Sequence, residues 1–392
     1  MGKKIKLGII GIGNMGTGHI NNLKQGLCPD IELAAVCDVK PGRLNWVKEQ
    51  NLGDSIAYFD NAIEMLDSGV IDSCLVAVPH YYHTVYAIEC MKRGIHVMVE
   101  KPAGVYVNQV IEMNEEAKKH PEVVFGMMFN QRTDCVYRKL KELISSGEYG
   151  EIRRTNWVIT AWYRTQAYYD SGDWRATWSG EGGGVLLNQC PHQLDLWQWI
   201  CGMPKKVMSH VHYGKWHDIE VEDDVTIYVE YENGASGVFV TSTGDAHGTN
   251  RFEIQMDRAK FVVEGNRLYM EEYEMPEPEW TRTCKSGFET VPAKASYVET
   301  DGESPQHVGV LNAWANAILN GGELVARGEE GINALTISNA AHLSSFLGRE
   351  VEIPLDNDLF QEELMKRVAT SRRKVNVNEV VLDTSNTYGG TK

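Results

Sequence analysis

Apolar residues along this chain fall into short runs separated by longer stretches with helical spacing. Residues 5–12 (Ile-Lys-Leu-Gly-Ile-Ile-Gly-Ile) form the first run and end in glycines; others follow at 31–37, 73–78, 95–99 and 123–128. Apolar runs of this length, bounded by turn residues, read as buried strands. Between them, apolar positions recur at helical spacing over 19–27, 42–50, 62–68, 83–93 and 108–119. Strands and helices alternating at this interval predict a parallel sheet with right-handed crossovers.

The pattern changes near residue 150. Residues 153–159 read as a strand, followed by a long stretch rich in Trp, Tyr, Gly and Arg. Beyond Pro204 successive strands appear: Val225, Ile227, Val229 and Tyr231 share one face, and Asn233-Gly234 leads into 235–243. Period-two alternation on either side of an Asn-Gly turn is a strong hairpin signal. Helical periodicity returns over 310–319 and 331–347, and 351–354 is a short extended piece. The chain therefore divides into an α/β unit (1–128), an α+β unit with a mostly antiparallel sheet and a helical return to the first unit (129–367), and a polar arm or tail (368–392).

Composition narrows the functional classes. A length of 392 residues suits two domains, and 43% hydrophobic with 23% charged residues is an ordinary globular balance. The net charge of −16 disfavours nucleic acid or an anionic membrane surface as partner. No apolar stretch reaches bilayer-spanning length, and the basic start runs into a short glycine-containing segment unlike the core of a cleavable signal. The eight cysteines form no C-x-x-C pair and mostly sit in apolar runs, as expected of buried free thiols in a reducing cytoplasm; Cys190 stands apart because of its neighbours. His210, His212 and His217 have no carboxylate or cysteine at a recognisable ligand spacing, and no metal site is expected.

Gly11-Ile12-Gly13-Asn14-Met15-Gly16 is G-x-G-x-x-G placed directly after a strand and before a helix, and Asp38 ends the next strand 22 residues after Gly16. That order is the dinucleotide-binding pattern of a Rossmann domain. Gly11 permits the tight turn, Gly13 lets the backbone approach a pyrophosphate, and Gly16 lets helix and strand pack closely. The helix N-terminus offers unpaired N–H groups and the positive dipole end to the phosphates, with Asn14 and Met15 beside them. Asp38 can accept from both ribose hydroxyls and would repel a 2′-phosphate, which favours NAD over NADP although Lys40 and Arg43 stand nearby.

Two further segments carry candidate chemistry. Glu100-Lys101-Pro102 follows the fourth strand at its carboxyl end, where open α/β sheets bind ligands; a surface lysine on a loop is the alternative. Gly182-Gly183-Gly184 precedes Val185-Leu186-Leu187-Asn188-Gln189-Cys190-Pro191-His192-Gln193-Leu194-Asp195. On one helix, Asn188, His192 and Asp195 would share a face, giving an imidazole beside an amide and a carboxylate. The alternative is that Asn188 caps the helix and His192 is a satisfied core histidine.

Together these motifs, with Val78-Pro79-His80-Tyr81-Tyr82-His83, resemble the glucose–fructose oxidoreductase / inositol dehydrogenase / rhizopine-catabolism family (Gfo/Idh/MocA). The resemblance extends through Glu222-Asp223-Asp224, Asn233-Gly234, Gly328-Glu329-Glu330-Gly331 and Ser344-Ser345, covering about 4–356. It implies an α/β Rossmann domain followed by an α+β domain with a large open, mostly antiparallel sheet, a cleft between them, and a homodimer or homotetramer formed through that sheet. It implies that Lys101 orients or acidifies a reacting hydroxyl, that His192 is the general base with Asn188 beside it, and that Asp195 contacts substrate. Pro79, His80, His83, Glu100 and Lys101 are then cofactor-side candidates. The sequence departs from the family pattern at Asn188, where an aspartate is common, and at His80, where an asparagine is common; a solvated loop histidine is the alternative at 80.

The stretch just before the catalytic helix holds Trp157, Trp162, Tyr163, Tyr168, Tyr169, Trp174 and Trp178 with Arg164 and Arg175. Flat rings interspersed with donors suit a sugar, and Trp162, Tyr163, Trp174 and Arg175 are the substrate-binding candidates, while about half of the rings are expected to pack the domain junction. The expected activity is NAD-dependent hydride transfer at a ring hydroxyl of a sugar, glycoside or cyclitol, with C3 of a glycoside as one target. An NAD-dependent glycosidase working by transient oxidation, or a non-catalytic sugar- or nucleotide-sensing regulator, are the alternatives.

Overall fold

The computed structural model describes residues 2–53, 55–372, 374 and 377. The first part alternates as read: β1 (Ile5–Ile10), α1 (Asn14–Lys24), β2 (Ile31–Cys37), α2 (Pro41–Glu49), β3 (Ala57–Phe59), α3 (Ala62–Asp67), β4 (Ser73–Val76), α4 (His83–Met91), β5 (His96–Val99), α5 (Val107–Lys119) and β6 (Phe125–Met127). The strands lie in the order β3-β2-β1-β4-β5-β6, all parallel, so the order reverses between β1 and β4. That reversal opens a crevice at the carboxyl ends of the strands. Leu7, Ile9, Leu75, Val76 and Val99 are fully buried, as expected for strands covered on both faces. The helix placed at 19–27 starts earlier, at Asn14, because its first turn carries glycines rather than an apolar stripe. β3 is three residues long and leaves no readable pattern.

The second part begins with α6 (Cys135–Ser145) and β7 (Ile152–Ile159), then the short α7 (Gln166–Tyr169) and α8 (Pro191–Cys201). Eight longer strands and one short one make the second sheet, adding β8 (Lys206–Tyr213), β9 (Glu222–Glu230), β10 (Ser236–Ser242), β11 (Asn250–Met256), β12 (Ala259–Glu264), β13 (Arg267–Tyr273), β14 (Ala293–Val298) and the two-residue β15 (Val351–Glu352). The order is β14-β13-β12-β11-β7-β10-β9-β8-β15; only β7 and β10 run parallel. The Asn-Gly hairpin forms as expected, with Gly234 at φ +81° and Ser236 opposite Glu230. Val225, Ile227 and Val229 face inward while Thr226 and Tyr228 face out. On the inner face Trp157 stacks on Phe252 at 4.2 Å, and Trp197 of α8 lies over Phe239 at 5.4 Å. This packing fixes α8 against the sheet.

Four helices complete the chain: α9 (Glu277–Thr283), α10 (Gln306–Asn320), α11 (Gly331–Leu347) and α12 (Asn357–Val368). α10 returns to the first sheet, where Val310, Leu311 and Trp314 join one apolar cluster with Ile5, Leu7 and Ile9. The Trp314 indole donates to the Val124 carbonyl at 3.1 Å. Most of the expected arm at 368–392 lies outside the described residues; Ser371 donates to Glu220 at 2.5 Å.

One sequence expectation is overturned here. Asp195 is 0% exposed and does not reach the cleft. Its two oxygens accept from Arg132 Nε and Nη2, both at 2.7 Å, and Arg132 Nη1 reaches Glu330 Oε2 at 2.6 Å. The carboxylate ties α8 to the segment after β6 and to the start of α11, so it is structural and not a substrate contact. Removing one partner of such a pair strands the other charge in the interior. Asp195→Ala is expected to destabilise the protein by about 3–5 kcal/mol in urea unfolding.

Candidate active site

A cleft of about 1350 Å³ opens at the carboxyl edge of the first sheet, between it and the stretch leading into α8. Gly11, Gly13, Asn14, Met15 and Asp38 line one end; Pro79, His80, His83, Glu100 and Lys101 line its middle; Asn188, His192, Trp162, Trp174 and Arg175 line the far side. Tyr163 is 45% exposed and points elsewhere. Gly16 lies beneath the loop rather than in the cleft.

The dinucleotide end is built from backbone. Gly11 sits at φ +94°, and a Cβ on Gly16 would strike the Gly11 carbonyl oxygen, so turn and helix can meet only without side chains. Gly13 is the N-cap of α1, no side chain caps that helix, and a Cβ there would enter open space. The N-terminal turn therefore presents its amides to the cleft as a phosphate cradle does. Asp38 Oδ2 accepts from Ile12 N–H at 2.7 Å and Oδ1 from Lys40 N–H at 2.9 Å, which fixes the carboxylate at the end of β2. These residues fit NAD.

The reactive centre joins the two parts. The Lys101–Pro102 peptide is cis, and Lys101 Nζ donates to the Asn188 carbonyl at 2.7 Å. Burial pushes the Lys101 pKa below its ordinary value, against the pull of Glu100 and Glu181. Although burial works in the opposite direction, the hydrogen bond from His19 at 2.7 Å and the surrounding cationic groups hold Glu100 at about 2. Both Glu100 oxygens are engaged, by His19 and by the Lys101 N–H at 3.2 Å. His192 is buried on α8, and its Nδ1 has no hydrogen-bond partner among the described residues. Burial, then the charges of Lys101 and His307, hold its pKa well below the usual imidazole range, so the ring is neutral near pH 7.

Asn188 is not on the helix with His192. Residues 185–189 form a wider turn closed by Cys190 N–H to Val185 O at 2.8 Å, and α8 starts only at Pro191. The shared face read from helical spacing is thus replaced by a bulged entry that turns the Asn188 carbonyl to Lys101. The amide of Asn188 donates to Glu181, a buried acid that pattern reading passed over because it stands among glycines. His80 is not a solvated loop residue: it is buried, with Nδ1 at 3.2 Å from the Glu181 carbonyl and its ring edge-on to Trp174. His83 has both ring nitrogens against backbone carbonyls, Pro102 at 2.6 Å and Val78 at 2.7 Å, and braces the Lys-Pro loop from behind.

Of the aromatic stretch, Trp157, Tyr169 and Trp178 are buried in the core, while Trp162, Tyr168 and Trp174 line the cleft. Arg175 lies over the rings of Tyr168 and Trp174, each at 4.7 Å, and donates to the Tyr168 hydroxyl at 3.0 Å. Arg164 lies over Trp162 and Tyr168. His217 is held between Asp223 and the Arg164 carbonyl, at 3.0 and 2.9 Å. Among the described residues no three His, Cys, Asp or Glu side chains gather as a metal site, and no helix is long and apolar enough to cross a membrane.

Two tests follow from this geometry. Burial pushes the Cys190 thiol up to about 12, so at pH 8 the native protein is expected to leave Cys190 unalkylated by iodoacetamide, as read by peptide mass spectrometry. Gly16→Val is expected to abolish NAD binding in calorimetric titration by forcing the Gly11 turn open.

Comparison with known proteins agrees with this fold. Residues 5–127 match the oxidoreductase family model with NAD-binding Rossmann fold, and 137–262 match the Gfo/Idh/MocA C-terminal domain. Myo-inositol 2-dehydrogenase of Thermotoga maritima is 29% identical over 271 residues, covering 67% of this chain and 76% of that protein. D-glucoside 3-dehydrogenase of Escherichia coli is 28% identical over 222 residues, covering 52% of this chain and 61% of the relative. The WlbA dehydrogenase of Chromobacterium violaceum, solved with NADH and UDP-GlcNAcA, superposes with a TM-score of 0.77 at 25% identity, covering 91% of this chain and 98% of that one. This chain belongs to the Gfo/Idh/MocA family of NAD-binding oxidoreductases.

Proposed function

We propose that this protein transfers hydride between NAD and a ring hydroxyl of a sugar, glycoside or cyclitol, with Lys101 and His192 as the acting residues. The observation that carries this reading is that the Lys101 ammonium and the buried, neutral His192 imidazole line one cleft, the one that begins at the glycine loop. Bound NAD would accept the hydride from the carbon that carries the hydroxyl. His192 takes the hydroxyl proton, and Lys101 stabilises the negative charge that develops on that oxygen. Asn188 holds Lys101 in place through its carbonyl.

The cleft wall supports a ring-shaped substrate. Trp162, Tyr168 and Trp174 offer flat faces, and Arg164 and Arg175 offer donors between them. This much ring surface suits a glycoside better than a small free polyol, and the likeness to a D-glucoside 3-dehydrogenase supports C3 as the oxidised carbon. The outward face of the second sheet, with Tyr228 and Tyr297 exposed, is the surface through which we infer a homodimer or homotetramer.

Purified protein with NAD is expected to produce NADH from members of a panel of cyclitols, aldoses and glycosides. Net accumulation of NADH separates a dehydrogenase from a glycosidase that returns its hydride. Lys101→Ala and His192→Ala should each lose about 10²-fold or more in turnover while NAD affinity stays within a few-fold; unchanged turnover removes that residue from the mechanism. His192 works as a base only when neutral, so kcat/KM for oxidation should fall as pH drops through its lowered pKa. That acid limb is expected below 6.5, the ordinary imidazole value, and a midpoint above it would count against His192 as the base.

A further inference from the structure

The amide at position 188 stands where the family commonly places an aspartate, and a carboxylate is found nearby. Glu181, seven residues upstream, is 2% exposed. Its Oε1 accepts from the Asn188 side-chain amide, and its Oε2 accepts from the Ala176 N–H at 2.6 Å. Both donors are amide N–H groups, so the two oxygens are used as an ionised carboxylate uses them. Burial pushes the Glu181 pKa above its ordinary value, and Arg175 and these two bonds pull against it. The Glu181 carbonyl meets His80 Nδ1 at 3.2 Å, and the Asn188 carbonyl holds Lys101 Nζ at 2.7 Å. One buried residue thus bonds Asn188 through its carboxylate and His80 through its carbonyl, and Asn188 in turn holds Lys101.

We propose that Glu181 is a positioning residue for the reaction: through Asn188 it orients the Lys101 ammonium and supplies the negative charge that an aspartate at 188 would carry. The proposal rests on the assignment of Lys101 made above. Two acids face Lys101. Glu100, from the end of β5, is the larger charge acting on the ammonium but bonds Lys101 only at its backbone N–H, whereas Glu181 holds the side chain of the residue whose carbonyl the ammonium meets. The cationic or titratable groups facing it are Arg164 and Arg175 from the stretch between β7 and α8, His80 and His83 from the turn after β4, His192 from α8 and His307 from α10. With that many cationic and titratable neighbours, the charge of Glu181 raises the pH at which Lys101 loses its proton.

The test is a charge swap across one hydrogen bond in the full chain. Glu181→Gln removes the carboxylate, Asn188→Asp sets two acids against each other, and the double variant returns one charge to the opposite side of the same contact. Each single variant is expected to lose about tenfold or more in kcat with NAD affinity within about twofold, and the double variant to recover about tenfold over either single. The pH dependence of Lys101 acylation by a small reagent, read by peptide mass spectrometry, should shift to lower pH in Glu181→Gln and back toward wild type in the double variant. A double variant no better than the singles, or a Lys101 profile that does not move in Glu181→Gln, overturns the proposal. The labelling needs no turnover, so a chain that showed the shift and oxidised no sugar would end the proposed function and leave the role of Glu181 standing.

Discussion

A lysine ammonium drawn into a protein interior has to be met by oxygen, and the cleft depends on how that is done. Lys101 reaches from the end of β5 to the Asn188 carbonyl at 2.7 Å, so the first sheet and the entry to α8 share one contact. A carbonyl carries no net charge, and the ammonium stays less stabilised than it would be in water or opposite a bare carboxylate. The two acids that act on it accept their hydrogen bonds elsewhere: Glu100 is engaged by His19, and Glu181 by Asn188 and Ala176. In the proposed reaction, a cation hydrogen-bonded to a neutral carbonyl remains available to a developing alkoxide.

The same accounting explains the neighbouring buried charges. Arg132, Asp195 and Glu330 form a closed set in which every carboxylate oxygen of Asp195 meets a guanidinium N–H. Arg132 also lies over the rings of Phe129 and Trp199, at 5.3 and 5.2 Å. This set ties α8 to the segment after β6 on the face that Asp195 shares with His192, three residues earlier. Along that face Asp195 is saturated with partners, whereas His192 Nδ1 has none among the described residues.

What could be read from sequence was what depends on neighbours in the chain. The run into Gly11, the helix after it and Asp38 at the end of β2 follow from local spacing; the place of Lys101 after a strand marked it, with a surface lysine as the alternative, and its role came only from the family resemblance. The errors arose where distant residues decide the outcome. Asp195 read as a substrate contact because its partner Arg132 lies 63 residues away. At His80 a solvated loop residue stayed open as the alternative to a cofactor-side one because the Glu181 carbonyl that meets it is 101 residues distant. Asn188 was placed on the helix because a wide turn adds a residue that period counting cannot see. Glu181 had no periodic or motif signal at all, and only the departure at Asn188 hinted that a carboxylate should be sought elsewhere.

The return of α10 to the first sheet has a consequence for how the protein is made. Trp314 is fully buried against a cluster that includes Ile5, Leu7 and Ile9, yet it leaves the ribosome some 300 residues after them. The nascent nucleotide-binding half therefore waits with an apolar flank uncovered, the condition in which chains associate wrongly or recruit chaperones. β7 waits as well, since both of its neighbours, β10 and β11, are synthesised later. The cleft is consequently a late product of translation, closed only when nearly the whole polypeptide is available.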